Sequence, residues 1–159
     1  MEFREMRRFK QELPLVECEK VLSEQWRGVL AVLGDGGYPY AVPMNFVYDA
    51  AEKKLYFHGA GEGHKIDAIR ACDRVSFNVI DGGVKRPDHW SKDFRSVTVF
   101  GKIRILSDGA QTMRAVRMLG DKDYADKEEL EEEIRKSAAR VTCLELSVEH
   151  MTGKRVNES

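Results

Sequence analysis

The chain has 159 residues, of which 42% are hydrophobic and 33% are charged, and its formal net charge is −1. This length and balance are typical of one globular domain with its own core. The nearly neutral charge argues against a general nucleic-acid-binding surface. No apolar run approaches the roughly 18 residues that a membrane span needs. We therefore treat residues 1–159 as a single domain with no membrane and no nucleic-acid partner.

The N-terminal residues and the cysteines indicate in which cellular compartment the protein is expected. Residues 1–9 are charged and lack the apolar region of a secretory signal. Cys18, Cys72 and Cys143 are widely spaced and form no Cys-x-x-Cys pair. This pattern predicts small core cysteines in a reducing cytoplasm.

The first elements read as an arm and a helix. Residues 1–14 mix arginines and glutamates and are expected to lie as an arm over the body or over a partner. Pro14 is expected to begin a helix with one apolar side. Gly28 is expected to end it. The remainder of the domain, residues 15–154, is predicted to hold the barrel and its helices.

A hairpin follows this helix. An apolar run over residues 28–34 predicts the first strand, the sequence Asp-Gly-Gly at 35–37 a hairpin turn, and residues 38–48 the second strand. Because Pro39 and Pro43 cannot donate to a ladder, the second strand needs an edge, a bulge or a break near Pro43. Backbone groups freed there could face the polar edge of a flat ligand, although a plain edge strand is an equal alternative. The residues concerned are Val42, Pro43, Met44 and Asn45.

A glycine-rich turn joins the third strand, which begins at Lys54, to a short helix predicted from near Glu62. The unpaired N–H groups and the positive macrodipole end of a helix start favour an anion. Histidines and cations flank the turn: His58, His64, Lys65 and Arg70. The glycine spacing fits neither a P-loop nor a dinucleotide-binding fingerprint. The stretch therefore predicts a phosphate site, with a simple connection bearing solvated cations as the alternative.

The second half of the chain adds three more strands and two helices. Residues 73–80, 94–106 and 141–148 read as strands, with a bend or a close backbone approach at Gly101. Residues 81–93 form a loop suited to a lid or a partner contact. Ser107 or Asp108 is expected to cap a helix that Gly120 ends, and residues 126–139 form a charged second helix. Residues 149–156 are predicted to form a tail after the last strand.

Six strands joined mostly by tight hairpins, with helices at three places, predict a mainly β fold. We expect a six-stranded antiparallel barrel with helices packed outside. Regular strand–helix alternation, which a doubly wound α/β fold requires, is absent from the sequence.

Four segments in this order resemble the pyridoxamine 5′-phosphate oxidase-like flavin-binding split-barrel proteins. Within that family the sequence is most similar to the nitroimidazole-resistance branch. The segments are residues 37–48, residues 55–60 with Gly63-His64-Lys65, residues 94–102 and residues 152–154. The glycine-histidine-lysine turn is the most specific of them.

The resemblance implies a homodimer with flavin mononucleotide (FMN) in a cleft between the subunits. The isoalloxazine ring would contact Val42, Pro43, Met44 and Asn45. The phosphate would fall on the turn and its flanks, which comprise His58, Gly59, Ala60, Gly63, His64 and Lys65. From the second subunit, Trp90, Arg95, Ser96 and Lys154 are candidates to approach the flavin.

The implied function is an FMN-dependent oxidoreductase that reduces a small electron-poor organic molecule, such as a nitroaromatic or a quinone, with NAD(P)H as donor. A flavin carries the redox chemistry itself, so no protein nucleophile is required. In the nitroimidazole-resistance branch the histidine at the position of His58 is a candidate active-site residue. The other interpretation is that His58 is a hydrogen-bond partner of the phosphate or backbone.

Three alternatives remain at the level of sequence. The same barrel could hold flavin or haem without catalysis, with His58, His64, His89 and His150 as candidate haem ligands. No other metal site is predicted. A pyridoxamine-phosphate oxidase is a further alternative, although the extended arginine-rich substrate site is lacking. Relatives also bind FAD or deazaflavin F420 in place of FMN.

Overall fold

The computed structural model describes residues 2–85, 87, 92–123, 125–137 and 140–156. Its helices are α1 (Leu15–Glu24), α2 (His64–Ala71), α3 (Gly109–Asp123) and α4 (Lys127–Ser137). Its strands are β1 (Glu12–Leu13), β2 (Arg27–Leu33), β3 (Pro39–Asn45), β4 (Val47–Asp49), β5 (Lys54–Gly59), β6 (Arg74–Ile80), β7 (Val84–Lys85), β8 (Lys92–Ile105) and β9 (Thr142–Val156). Short 3-10 turns occupy Phe9–Gln11 and Asp35–Gly37. Within these ranges, no helix combines the length and apolarity that crossing a membrane requires.

The strands form one antiparallel sheet in the order β3-β2-β6-β8-β9-β5-β4. Two-residue strands extend it, because β1 pairs with β9 and β7 pairs with β8. The sheet curls until β3, at one end of the order, contacts β5 near the other. The predicted mainly β, antiparallel split barrel with flanking helices is confirmed, and the described residues form nine strands where six were expected.

The core fills the inside of the curl. Phe46, Phe57 and Phe77 are fully buried, and the ring centroid of Phe77 lies 4.9 Å from that of Phe46 and 5.0 Å from that of Phe57. Both contacts are edge-to-face, the arrangement that the ring quadrupoles favour. The N-terminal arm lies over the body, since Phe3 stacks on His150 at 4.5 Å between ring centroids.

The predicted second strand is two strands. β3 continues through Pro43, which pairs with Val29 of β2, and the break comes at Phe46. There the chain crosses from β3 at one end of the sheet order to β4 at the other. The prediction of an edge strand is confirmed, because β2 is the single ladder partner of β3 among the described strands. Pro43 is tolerated there because an edge strand needs no second ladder.

Helix ends and the last strand also differ from the predictions. α1 ends at Glu24, before Gly28, because Lys122 of α3 donates to the carbonyls of Leu22 and Gln25 at the helix end. Gly120 lies inside α3 and does not end it. Glycine is required at this position because a Cβ would overlap Leu130 of α4. The predicted tail is the second half of β9, which pairs with β8 up to Val156. The close backbone approach predicted as one alternative at Gly101 is confirmed, because a Cβ there would overlap the carbonyl oxygen of Ser147, and the ladder shifts register between Phe100 and Gly101.

Candidate functional site

The glycine-rich turn lies at the mouth of the barrel, between the end of β5 and the start of α2. Gly63 is the N-cap of α2 with a φ of 108°, and no side chain caps the helix start. This φ is strained for any residue with a Cβ, so glycine is required there. The first N–H groups of α2 are thereby left for solvent or a ligand. The helix predicted from near Glu62 begins two residues later, at His64.

His64 bridges the turn to the β2–β3 hairpin. Its Nε2 accepts a hydrogen bond from the backbone N–H of Asp35 at 3.1 Å, and its ring stacks on Tyr40 with 4.3 Å between centroids. Nε2 is also 3.7 Å from the Asp35 carboxylate, which would suit a protonated ring. A ring nitrogen that accepts a hydrogen bond carries no proton, and the Asp35 carboxylate is almost fully exposed. The proton then sits on Nδ1, which can donate to a ligand.

Lys65 is a half-buried cation with no carboxylate counterion among the residues that the structure describes. Its Nζ lies 3.3 Å from Met44 Sδ, and a Cβ added to Gly59 would lie 3.2 Å from it. Among the described residues, Lys65 forms no ion pair with a carboxylate. Burial accordingly lowers the pKa of the Lys65 ammonium. A positive group held in this position without an anion is suited to bind one.

The outer edge of β3 runs alongside this cluster, because His64 stacks on Tyr40 and Lys65 Nζ contacts Met44. Met44 is buried, Val42 and Asn45 are half-buried, and Pro43 is exposed. Alternate residues of a strand paired on one side turn their N–H and C=O groups to the free edge. The five steps from Tyr40 to Asn45 span about 17 Å at about 3.3 Å per residue. The predicted phosphate turn and the predicted ring contacts therefore lie along one continuous edge.

His58 faces a different part of the molecule. Its side chain lines a cavity of about 170 Å³ with Leu119 of α3 and Ile134 of α4. Phe57, its neighbour on β5, points instead into the barrel core. The predicted contact between His58 and a phosphate stays a prediction, and Ala60 is exposed just beyond β5.

The residues predicted to act from a second subunit separate into two groups. The Arg95 guanidinium points toward α1 and binds three carboxylates, those of Asp81 at 2.8 Å, Glu24 at 3.1 Å and Glu17 at 3.3 Å. Ser96 and Lys154 instead form a cross-strand pair between β8 and β9. Trp90 and His89 lie outside the described residues.

Sequence reasoning missed two contacts near this edge. Tyr40 stacks on His64, and Arg27 Nε donates to Asn45 Oδ1 at 2.9 Å. The second contact could have been found, because a hairpin centred on Gly36 places residues 27 and 45 opposite each other. The stacking depends on where α2 returns to the hairpin and has no local signal.

Comparison with known proteins gives one family and a set of solved structures. A family model described as pyridoxamine 5′-phosphate oxidase matches residues 15–155. No curated protein sequence matches the chain. Within the described ranges, no group of three or more His, Cys, Asp or Glu side chains could hold a metal ion.

Three of the similar solved structures have the following sequence identities, TM-scores and coverages. An FAD-binding protein from Mesorhizobium loti is 26% identical with a TM-score of 0.68, over 92% of this chain and 98% of that one. A candidate 5-nitroimidazole antibiotic resistance protein from Bacteroides thetaiotaomicron is 22% identical with a TM-score of 0.76, over 91% of this chain and 86% of that one. An FAD and haem binding protein from Mycobacterium smegmatis is 20% identical with a TM-score of 0.72, over 94% of this chain and 74% of that one.

Proposed function

Because this chain belongs to the pyridoxamine 5′-phosphate oxidase family, whose model matches residues 15–155, we propose that it is an FMN-binding flavoprotein. It acts as an oxidoreductase on a small electron-poor organic molecule, a nitroaromatic or a quinone, with NAD(P)H as donor. The cofactor lies between two copies of the chain. When bound, the flavin supplies the redox chemistry, and the chain supplies binding, orientation and shielding.

The observation that carries the proposal is the half-buried Lys65, which has no carboxylate counterion in the described part of the chain. Its Nζ contacts a thioether at 3.3 Å, and burial lowers its pKa. The uncapped start of α2 is its immediate neighbour, since Lys65 is the second residue of that helix. His64 adds a third donor through Nδ1. A phosphate dianion satisfies all three groups at once, through charge-assisted hydrogen bonds and the helix dipole.

The edge of β3 suits the remainder of the molecule. FMN is a tricyclic ring on a five-carbon chain, and the edge from Tyr40 to Asn45 spans about 17 Å. Met44 and Val42 pack into the barrel core and fix β3 in place, while the free backbone groups of the edge can bond a polar ring border. His64 therefore lies at the Tyr40 end of β3 and the Lys65 ammonium beside Met44, and we expect the phosphate between these two residues and the flat ring along the free edge.

The homodimer is supported by the outer face of the sheet. Four large apolar residues there are between 41% and 57% exposed. They lie on β2, β6 and β8 and face away from the core: Val29, Leu33, Ile80 and Phe100. Ser96 pairs with Ile80, so the Ser96–Lys154 pair belongs to the same face. A second copy related by a two-fold axis would cover this face and bring Ser96 and Lys154 toward the cofactor edge.

The two buried cysteines are not part of the proposed chemistry. Burial raises the pKa of both Cys18 and Cys143 to about 11. Thiols in that state are poor nucleophiles near neutral pH, so neither residue suits a thiol-based redox role.

The choice of nitro compounds as first substrates rests on the likeness to the candidate 5-nitroimidazole antibiotic resistance protein.

The test is an absorbance spectrum of the purified, desalted protein, followed by mass identification of the released chromophore. Paired flavin bands with released FMN support the proposal, and released FAD would correct the cofactor. A protein that is colourless and binds neither added FMN nor riboflavin would refute it. A flavoprotein that does not turn over nitroaromatics or quinones with NAD(P)H would retain binding and lose the proposed reaction.

The dimer has a separate test by light scattering. Ile80→Asp places a charge on the proposed interface and should give monomers. Val16→Asp is a matched control, since Val16 is exposed on α1. Equal masses for both variants and the parent would contradict the assignment of this face.

A further inference from the structure

We propose that Arg27 is a positioning residue that fixes the side-chain amide of Asn45, so that its NH2 group faces the flavin ring and favours the reduced form. This inference rests on the proposed function, because it concerns the ring end of the same site.

The orientation of Asn45 follows from the chemistry of its partner. Arg27 Nε donates to the side chain of Asn45 at 2.9 Å. A guanidinium has donors and no acceptor, so the atom it contacts must be the amide oxygen. The nitrogen of Asn45 consequently points away from Arg27. No acceptor bonds to that nitrogen among the residues described, so its two N–H groups are available to a ligand.

Arg27 is itself held in place from one side. Its guanidinium carbon lies 4.5 Å from the centroid of the Trp26 ring. Stacking of this kind restrains the planar group without neutralising its charge. Arg27 forms no ion pair with a carboxylate in the described part of the chain. A full positive charge therefore polarises the Asn45 amide from behind.

The fold brings this pair to the far end of the proposed cofactor edge. Arg27 and Asn45 are cross-strand partners at the end of the β2–β3 ladder. His64 lies at the Tyr40 end of β3, the Lys65 ammonium contacts buried Met44, and the edge of β3 leads from Tyr40 to Asn45. A ring that follows this edge presents its polar border to the amide of Asn45.

The expected consequence is a preference between redox states. Reduction increases the negative charge on the polar part of a flavin ring. A hydrogen-bond donor backed by a guanidinium stabilises that charge more than it stabilises the neutral oxidised ring. The chain should therefore bind reduced FMN more tightly than it would without Arg27.

The test measures the dissociation constants of oxidised and reduced FMN for the parent, Arg27→Gln, Asn45→Leu and the double variant. Arg27 is exposed, so each single variant should fold. Each should lower the preference for reduced FMN about tenfold, which equals about 30 mV for a two-electron couple. The affinity for oxidised FMN should change much less. Arg135→Gln, which removes an exposed arginine of α4, should leave the preference unchanged.

The double variant distinguishes positioning from independent action. If Arg27 acts through Asn45, the double variant should lose no more than either single one. In the flavin-free protein, the NMR signals of the Asn45 side-chain amide should also shift in Arg27→Gln. Additive losses, or single variants with the parental preference, would overturn the inference while FMN binding stands. A parent protein that does not bind flavin would overturn both.

Discussion

Replacing Lys65 with methionine should change FMN affinity and fold stability in opposite directions. One charge-assisted hydrogen bond contributes about 1.5–3 kcal/mol, so the loss of the Lys65–phosphate contact should weaken FMN binding about 10- to 150-fold. Without ligand, the Lys65 ammonium is half-buried against Met44 and its pKa is lowered by that burial. Removing an uncompensated cation should therefore raise the free energy of unfolding of the flavin-free protein.

Two assays separate these effects. Calorimetric titration compares FMN with riboflavin, which has the same ring and sugar chain but no phosphate, and only FMN binding should weaken in Lys65→Met. Urea denaturation of the flavin-free proteins measures stability. Lys136→Met is the control, because Lys136 is an exposed lysine of α4 that pairs with Glu132 at 2.8 Å. Equal losses for FMN and riboflavin, or a destabilised Lys65→Met, would show that Lys65 has a structural role and refute the phosphate assignment.

Three stability predictions concern other parts of the fold, each measured by denaturation. Glu145→Gln should destabilise the protein by about 1.5–3 kcal/mol at neutral pH, since the 5% exposed carboxylate binds Arg104 at 2.7 Å. The pKa of Glu145 is lowered chiefly by Arg104 against the opposing effect of burial, so this contribution should vanish as pH falls through the folded value. Burial lowers the pKa of Lys122 from 10.5 to about 8, so stability should rise with pH between these values by up to about 1.4 kcal/mol per unit and do so less in Lys122→Met. Gly63→Ala should cost about 1–3 kcal/mol because of the positive φ.

Local patterns in the sequence predict much of the barrel. The Asp-Gly-Gly turn, the alternating apolar residues of β6 and β8 and the helix after the glycine-rich turn all depend on neighbouring residues, and the structure contains each of them. The anion site could be predicted in part for the same reason. Lys65 follows the N-cap of a helix at a fixed spacing, so its position beside the uncapped N–H groups is set by the sequence.

The differences arise where distant residues meet. The end of α1 depends on Lys122, which reaches it from 97 residues later in the chain. The surroundings of Arg95 depend on Glu17 and Glu24 of α1, 78 and 71 residues earlier. The break between β3 and β4 lies where the chain crosses from one end of the sheet order to the other. Pro39 and Pro43 indicated an interruption of the strand but not this crossing. No periodicity or turn signal carries such information.

The half-buried cations of the described residues show where an anion is missing. There are five of them among the lysines and arginines: Lys54, Lys65, Arg95, Lys122 and Lys154. Lys54 and Arg95 pair with carboxylates, and the ammonium of Lys122 donates to three backbone carbonyls. Neither Lys65 nor Lys154 has a carboxylate partner within the described ranges. Because a partly desolvated charge is costly unless compensated, an anionic ligand that reaches both the α2 turn and the outer face of the sheet would supply what the chain itself does not.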